Sequence, residues 1–322
     1  MTHFIDVCLS GITHKGFVLT EYLIAAALMG GLGALLAAVL VVADRKLYVY
    51  EDPRIEEVEA LLPHANCGAC GCAGCHAFAE LAVEGKIAPG KCTVNTPDGI
   101  QAIAALLKVD AGHEEKRVAR LACAGGAHVA RHKAQYAGLE SCRAAALVSG
   151  GGKGCSWGCL GLADCERVCE FHAIAMDEHG LPVVSEALCT ACGDCVEVCP
   201  KELFSLHPVS HRLWVACRNL LNGDLAEVEC EVACTGCGRC AADAPGLIGI
   251  VNSLAVIDYS RNATATQMPI QRCPTGAIVW MDKSGPIRGL EARKITRKSP
   301  LPVELAELPL VKSESAARDL RI

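Results

Sequence analysis

The run Cys189-Thr-Ala-Cys192-Gly-Asp-Cys195-Val-Glu-Val-Cys199-Pro200 places three thiols within seven residues and a fourth immediately before a proline. Thiols at such fixed, short spacings converge on a metal centre, and the loop that carries them folds around that centre. The rest of the chain follows suit. Of its 22 cysteines, fourteen lie between residues 155 and 273, five between 67 and 92, two at 123 and 142, and one at residue 8. Disulfides are rare in a reducing compartment, so thiols in this number imply bound metal. Aromatic residues make up 4% of the chain, too few for one large conventional core. The net charge of −6 and the lack of a basic stripe speak against a nucleic-acid partner.

C-x2-C-x2-C-x3-C-P is the bacterial ferredoxin spacing, in which the first three thiolates bind one [4Fe–4S] cluster and the fourth serves its neighbour. The companion run, Cys155-x3-Cys159-x5-Cys165-x3-Cys169, is wider but ends in a fourth thiol and an Ala173-Ile174 strand start. Crossed pairing then assigns Cys155, Cys159, Cys165 and Cys199 to one cluster and Cys169, Cys189, Cys192 and Cys195 to another. A second ferredoxin-like stretch is incomplete. Cys234, Cys237 and Cys240 form a triplet whose fourth position is Ala244, and the other half keeps only Cys273-Pro274. Residues 259–268 hold no cysteine where a triplet belongs. Under crossed pairing the missing thiols all belong to one cluster and the survivors, Cys234, Cys237, Cys240 and Cys273, to the other. The first group, Cys67-x2-Cys70-x4-Cys75-x16-Cys92, supplies four thiols for a separate [4Fe–4S] site, with Cys72 surplus. Zinc ribbons are the competing reading, but they use two separated C-x2-C knuckles. The total is four [4Fe–4S] clusters. Cys8, Cys72, Cys123, Cys142, Cys217 and Cys230 have no assigned role, and the last two lie just upstream of the incomplete unit's triplet.

Residues 22–43 are uncharged and apolar, roughly 33 Å of helix, which matches the hydrocarbon thickness of a bilayer. The stretch exceeds a normal signal-peptide core, so a retained anchor is expected. Low-potential clusters and free thiolates suit the cytoplasm, which places the C-terminal bulk on that side of the cell's inner membrane. The fold class is therefore α+β: a single N-terminal transmembrane helix, a small four-Cys [4Fe–4S] domain, then ferredoxin-like units. The expected segments are 1–46 with the anchor, 47–110 with the four-Cys domain, an Ala-rich helical connector at 111–152, and a two-cluster ferredoxin-like unit at 153–208. A degenerate unit at 209–282 and a flexible, net basic tail at 283–322 follow. No Gly-rich dinucleotide fingerprint or Walker spacing occurs, and no catalytic triad or carboxylate pair stands out. The chemistry left is electron transfer without bond making.

One apolar helix, then NCGACGCAGC…C, LACAGG, YAGLESC, GGGKGCSWGCLGLADCERVC, the C-P run and a second ferredoxin-like unit is an order of motifs that resembles the B subunit of the Rnf complex in its longer form. The complex is an ion-translocating ferredoxin:NAD oxidoreductase. The resemblance spans residues 18–282 and departs from the long form at Ala244, at 259–268, and at Glu170 where many ferredoxin halves have proline. It implies a membrane-anchored, cytoplasm-facing subunit that relays electrons from soluble ferredoxin to a complex with A, C, D, E and G subunits, an enzyme only as part of that translocase. It also makes Cys123 and Cys142 family positions without assigning them a task. A second reading from the same likeness is an electron-transfer subunit that keeps a redox-sensing transcription regulator reduced.

Overall fold

The computed structural model describes residues 3–47 and 51–303, with side chains described from residue 22 onward. The Cys8 side chain and residues 304–322 of the expected tail lie outside the described residues. The chain forms two compact units, residues 1–55 and 56–322.

The first unit is essentially one helix, α1 (His3–Leu47). Its stretch Tyr22–Leu47 is long and apolar enough to cross a membrane, and none of its apolar window is buried by the protein. A helix of a soluble domain hides at least one apolar stripe, so a stretch that is apolar all round and exposed over its described side chains is a candidate span. The uncharged stretch was expected to end at residue 43; the helix continues through Arg45 and Lys46 to Leu47.

The second unit begins within α2 (Pro53–Ala60), whose Val58 is buried. The first cysteine group lies on the loop before α3 (Cys75–Val83) and returns at Cys92, ahead of α4 (Pro97–Leu107). Thr96 caps α4, its hydroxyl accepting the Gly99 N–H at 3.1 Å, and Pro97 takes the first helical position.

Residues 111–152 are not the helical connector that their alanine content suggested. Arg117–Leu121 form strand β1, and α5 (Cys142–Leu147) is the α-helical part of the segment. The alternative to a lone helix here is a ladder, and β1 takes it. Its five residues pair antiparallel with β4 (Phe204–Pro208), Leu121 opposite Phe204, burying Val118 and Ala119. Between these strands lie α6 (Asp164–Arg167), the hairpin of β2 (Ile174–Met176) and β3 (Pro182–Val184), and α7 (Asp194–Val198). The ferredoxin-like unit thus opens at β1, well before residue 153, and residues 122–154 are inserted between its first strand and its first cysteine run.

The following unit repeats the plan. Strand β5 (Leu213–Val215) pairs antiparallel with β8 (Ile278–Asp282), Leu213 opposite Trp280. Between them come α8 (Gly223–Glu229), α9 (Arg239–Asp243), the β6 (Ile248–Val251)–β7 (Leu254–Ile257) hairpin and α10 (Met268–Gln271). β9 (Gly285–Ile287) adds a strand to β8. In both units glycine in the left-handed region turns the chain just before a cysteine-bearing helix: Gly193 (φ 104°) before α7 and Gly238 (φ 75°) before α9.

Residues 288–303 also differ from the expected flexible tail. They run back over the second unit, held by Arg293 N–H on Pro274 O (2.9 Å) and Leu301 N–H on Ala127 O (2.9 Å). Arg293 meets Glu227 at 2.7 Å and Arg297 meets Glu231 at 3.2 Å. The basic character read as a sign of looseness is what docks this strap on an acidic helix end.

Candidate iron–sulfur centres

Three cavities correspond to cysteine sets expected from spacing. Cys67, Cys70, Cys75 and Cys92 wall one, with Leu62 and Phe78 behind them. Cys169, Cys189, Cys192 and Cys195 wall another. Cys234, Cys237, Cys240 and Cys273 wall a third. The local fold explains each set. Cys195 and Cys240 are both the second residue of a helix that a left-handed glycine starts, so each Sγ turns back toward its own triplet. Cys169 reaches the Cys189 triplet from the far end of α6, which is the crossed pairing.

Burial pushes the Cys195 thiol up to about 12, and the neighbouring Cys189, Cys192 and Cys169 add to the rise. Cys240 is pushed up to about 12 by burial and then by Cys234, Cys273 and Cys237. Cys92 is raised by burial, with backbone N–H groups of Asn95 and Val94 opposing and Cys70 and Cys67 adding to it. Four such thiols cannot ionise together without a compensating positive centre, and iron supplies one that deprotonates a coordinating thiol outright. The backbone also presents donors to sulfur: Ala119 N–H to Cys189 Sγ (3.5 Å), Ala173 N–H to Cys169 Sγ (3.3 Å) and Leu203 N–H to Cys199 Sγ (3.5 Å). Among the described residues no three His, Cys, Asp or Glu groups close on a single ion. Four thiols set apart around a cavity suit a cubane better than zinc.

The fourth expected set is not brought together. Cys165 has Cys142 and Cys199 as thiol neighbours, and Cys159 has Cys123 and Cys165. Cys155 instead lines a different cavity, with Cys123, Cys217 and Cys230. The spacing reading grouped Cys155 by its distance along the chain; the insertion after β1 carries it elsewhere. In the incomplete unit, Ala244 packs with Ala265 and Ile257 against the apolar cluster around Ile248 and Ile270, filling with side chains the half that lacks its thiols.

Cys72 does not line the first cavity; burial and its neighbour Cys70 raise it to about 11. Asn66, which spacing did not single out, positions this site: its Oδ1 accepts the Cys75 N–H at 2.8 Å and holds the start of α3 against the loop. Asn66→Ala should leave that donor unpaired and cost about 1–2 kcal/mol locally. The measurable result is faster thermal bleaching of the Cys67–Cys92 site than of the others, followed by its own EPR component.

Paired ferredoxin-like units with thiol-walled cavities define an iron–sulfur electron carrier. Comparison with known proteins narrows the class. The family model for an Fe-S cluster matches residues 62–94, and that for a 4Fe-4S binding domain matches residues 182–204. The B subunit of the Na(+)-translocating ferredoxin:NAD(+) oxidoreductase complex of Acetobacterium woodii is 38% identical over 262 residues, 81% of this chain and 78% of that one. The B subunit of the ion-translocating oxidoreductase complex of Methanosarcina acetivorans is 38% identical over 78% of this chain and 96% of its own. The B subunit of the proton-translocating ferredoxin:NAD(+) oxidoreductase complex of Clostridium ljungdahlii is 36% identical over 77% and 88%. The chain belongs to this family, the B subunits of the ion-translocating (Rnf-type) oxidoreductase complexes, and it is an iron–sulfur protein of the 4Fe-4S type.

Proposed function

We propose that this chain is the electron-transfer subunit of an Rnf-type ion-translocating ferredoxin:NAD oxidoreductase, relaying electrons between soluble ferredoxin and the membrane subunits. The observation that carries the reading is the string of thiol-walled cavities, in the family's order, behind one candidate membrane helix. Bound [4Fe–4S] clusters supply one-electron storage at low potential. The chain's own part is to bury the sulfurs, aim N–H donors at them and space the sites. Cys67, Cys70, Cys75 and Cys92 hold one cluster; Cys169, Cys189, Cys192 and Cys195 a second; Cys234, Cys237, Cys240 and Cys273 a third. Cys159, Cys165 and Cys199 contribute to another. The helix Tyr22–Leu47 anchors the subunit, with residues 56–322 on the cytoplasmic side, where ferredoxin docks on the ferredoxin-like units. The A, C, D, E and G subunits are its partners. The relatives carry Na⁺ or proton in their names at nearly equal identity, so the likeness favours no coupling ion.

Cys70→Ser tests the relay. In the assembled complex it should lower ferredoxin-dependent NAD reduction at least tenfold below wild type while ferredoxin still reduces the clusters of the ferredoxin-like units. Full NAD reduction by this variant would overturn the order of the relay.

A further inference from the structure

The two ferredoxin-like units share a detail that no cluster assignment above uses. At the end of β1 the Ala122 N–H donates to Leu203 O at 2.8 Å and Cys123 follows; at the end of β5 the Ala216 N–H donates to Ala277 O at 2.8 Å and Cys217 follows. Cys123 Sγ accepts the N–H of Gly125 at 3.4 Å and of Cys159 at 3.4 Å. Cys217 Sγ accepts the N–H of Asn219 at 3.4 Å and of Cys234 at 3.3 Å. Those last donors are Cys159, ahead of Cys165, and Cys234, ahead of Cys237 and Cys240, and each has another cysteine four residues before it, Cys155 and Cys230. Each unit thus contributes one cysteine after its first strand and one before its cluster loop, on the same hydrogen-bonding plan.

These four thiols meet. Cys123, Cys155, Cys217 and Cys230 wall one cavity, as Cys169, Cys189, Cys192 and Cys195 wall theirs. Burial pushes Cys230 up to about 12 and raises Cys155 and Cys217, with the Cys123 sulfur adding to each. Lys153, 9% exposed, lines the same cavity and is fixed by Nζ–H donation to Gly125 O (2.5 Å) and Cys159 O (2.6 Å). A buried lysine beside four sulfurs suits an anionic centre.

The geometry points to a further [4Fe–4S] cluster held by Cys123, Cys155, Cys217 and Cys230, two thiolates from each ferredoxin-like unit. The inference rests on the iron–sulfur reading above and extends it. It also completes the set that Cys155 leaves. In the second unit Cys237 stands between Cys234 and Cys240, whereas nothing stands between Cys159 and Cys165. Cys142 supplies that ligand. It begins α5, whose N-terminus is pinned to α6: Ser141 Oγ and the Arg143 N–H both donate to Asp164 Oδ2, at 2.9 and 3.1 Å. Cys142 thereby lies beside Cys165 and is the largest charge acting on that thiol. The chain then carries five sets of four, and only Cys8 and Cys72 stay outside them.

The test is iron and acid-labile sulfide per chain in the anaerobically purified full-length protein, resolved by Mössbauer and EPR spectroscopy. The expected wild-type count is about twenty irons, against about sixteen for four clusters. Cys217→Ser and Cys155→Ser, which sit in different units, should each remove about four irons and the same spectral component. Cys142→Ser should remove the component that Cys165→Ser removes. A wild-type count of about sixteen overturns the assignment while the relay reading stands. So does a Cys155→Ser variant that loses the Cys165 component, or zinc in the preparation that Cys217→Ser removes without loss of iron. A protein with no iron at all overturns the relay reading itself. The wild-type count and the Cys155 variant decide the matter even if Cys217→Ser fails to fold.

Discussion

Cys192→Ala should strip about four irons from the anaerobically purified protein, and Cys169→Ala should remove the same EPR component although it lies on the other cysteine run. Cys199→Ala should remove a different one. The argument is the crossed geometry. Cys169 lines the cavity of the Cys189 triplet, while Cys199, after α7, neighbours Cys165. Losing one thiolate leaves an iron without its protein ligand and opens the site to solvent, and the remaining thiols are held where burial disfavours their ionised form. Loss of the whole cluster, or its collapse to a form with fewer irons, is the expected scale of effect. Cys72→Ala is the matched control. Its thiol sits in the first cysteine loop but outside the cavity, so iron content should not change. If Cys192→Ala and Cys199→Ala removed the same component, the pairing would be uncrossed and the ferredoxin-like description of residues 117–208 would fall with it.

Local spacing made the triplets legible because their ligands lie within one turn of loop and helix. Cys189–Cys195 and Cys234–Cys240 each converge for reasons contained in a few residues, including the left-handed glycine between loop and helix. The strand start at Ala173-Ile174, which opens β2, was visible for the same reason. What spacing did not reveal is set by pairings far apart in the chain. β1 joins β4 across the whole of the first ferredoxin-like unit, and nothing local in Arg117–Leu121 announces its partner. With β1 unseen, residues 111–152 looked like a connector, and Cys155 just beyond it looked like the start of a cluster run. A signal was present all the same. Leu121-Ala-Cys123 and Val215-Ala-Cys217, followed by Cys155-x3-Cys159 and Cys230-x3-Cys234, repeat one pattern at two places. Comparing the units with each other, rather than each with a two-cluster ferredoxin, would have separated Cys155 from Cys165. The strap at 288–303 escaped notice because its acidic partners, Glu227 and Glu231, are likewise distant in sequence.

The anchor invites the second large effect. Leu32 and Leu36 lie one helical turn apart near the middle of Tyr22–Leu47, both more than half exposed. Replacing them by arginine therefore removes no contact described for this chain. In a bilayer the same change is severe, about 2.5–3.5 kcal/mol for each arginine at a helix centre, hence about 6 kcal/mol together and a partition shifted on the order of 10⁴-fold. Expressed without partner subunits, Leu32→Arg/Leu36→Arg should move from carbonate-washed membranes to the aqueous fraction with its iron content unchanged. That combination is informative because it separates the two units by what each depends on. The helix answers to the solvent around it, and the cysteine-bearing unit answers to its own sulfurs. Retention of the doubly charged variant in washed membranes would mean that something other than this helix holds the protein there, and the single-anchor reading would have to be abandoned.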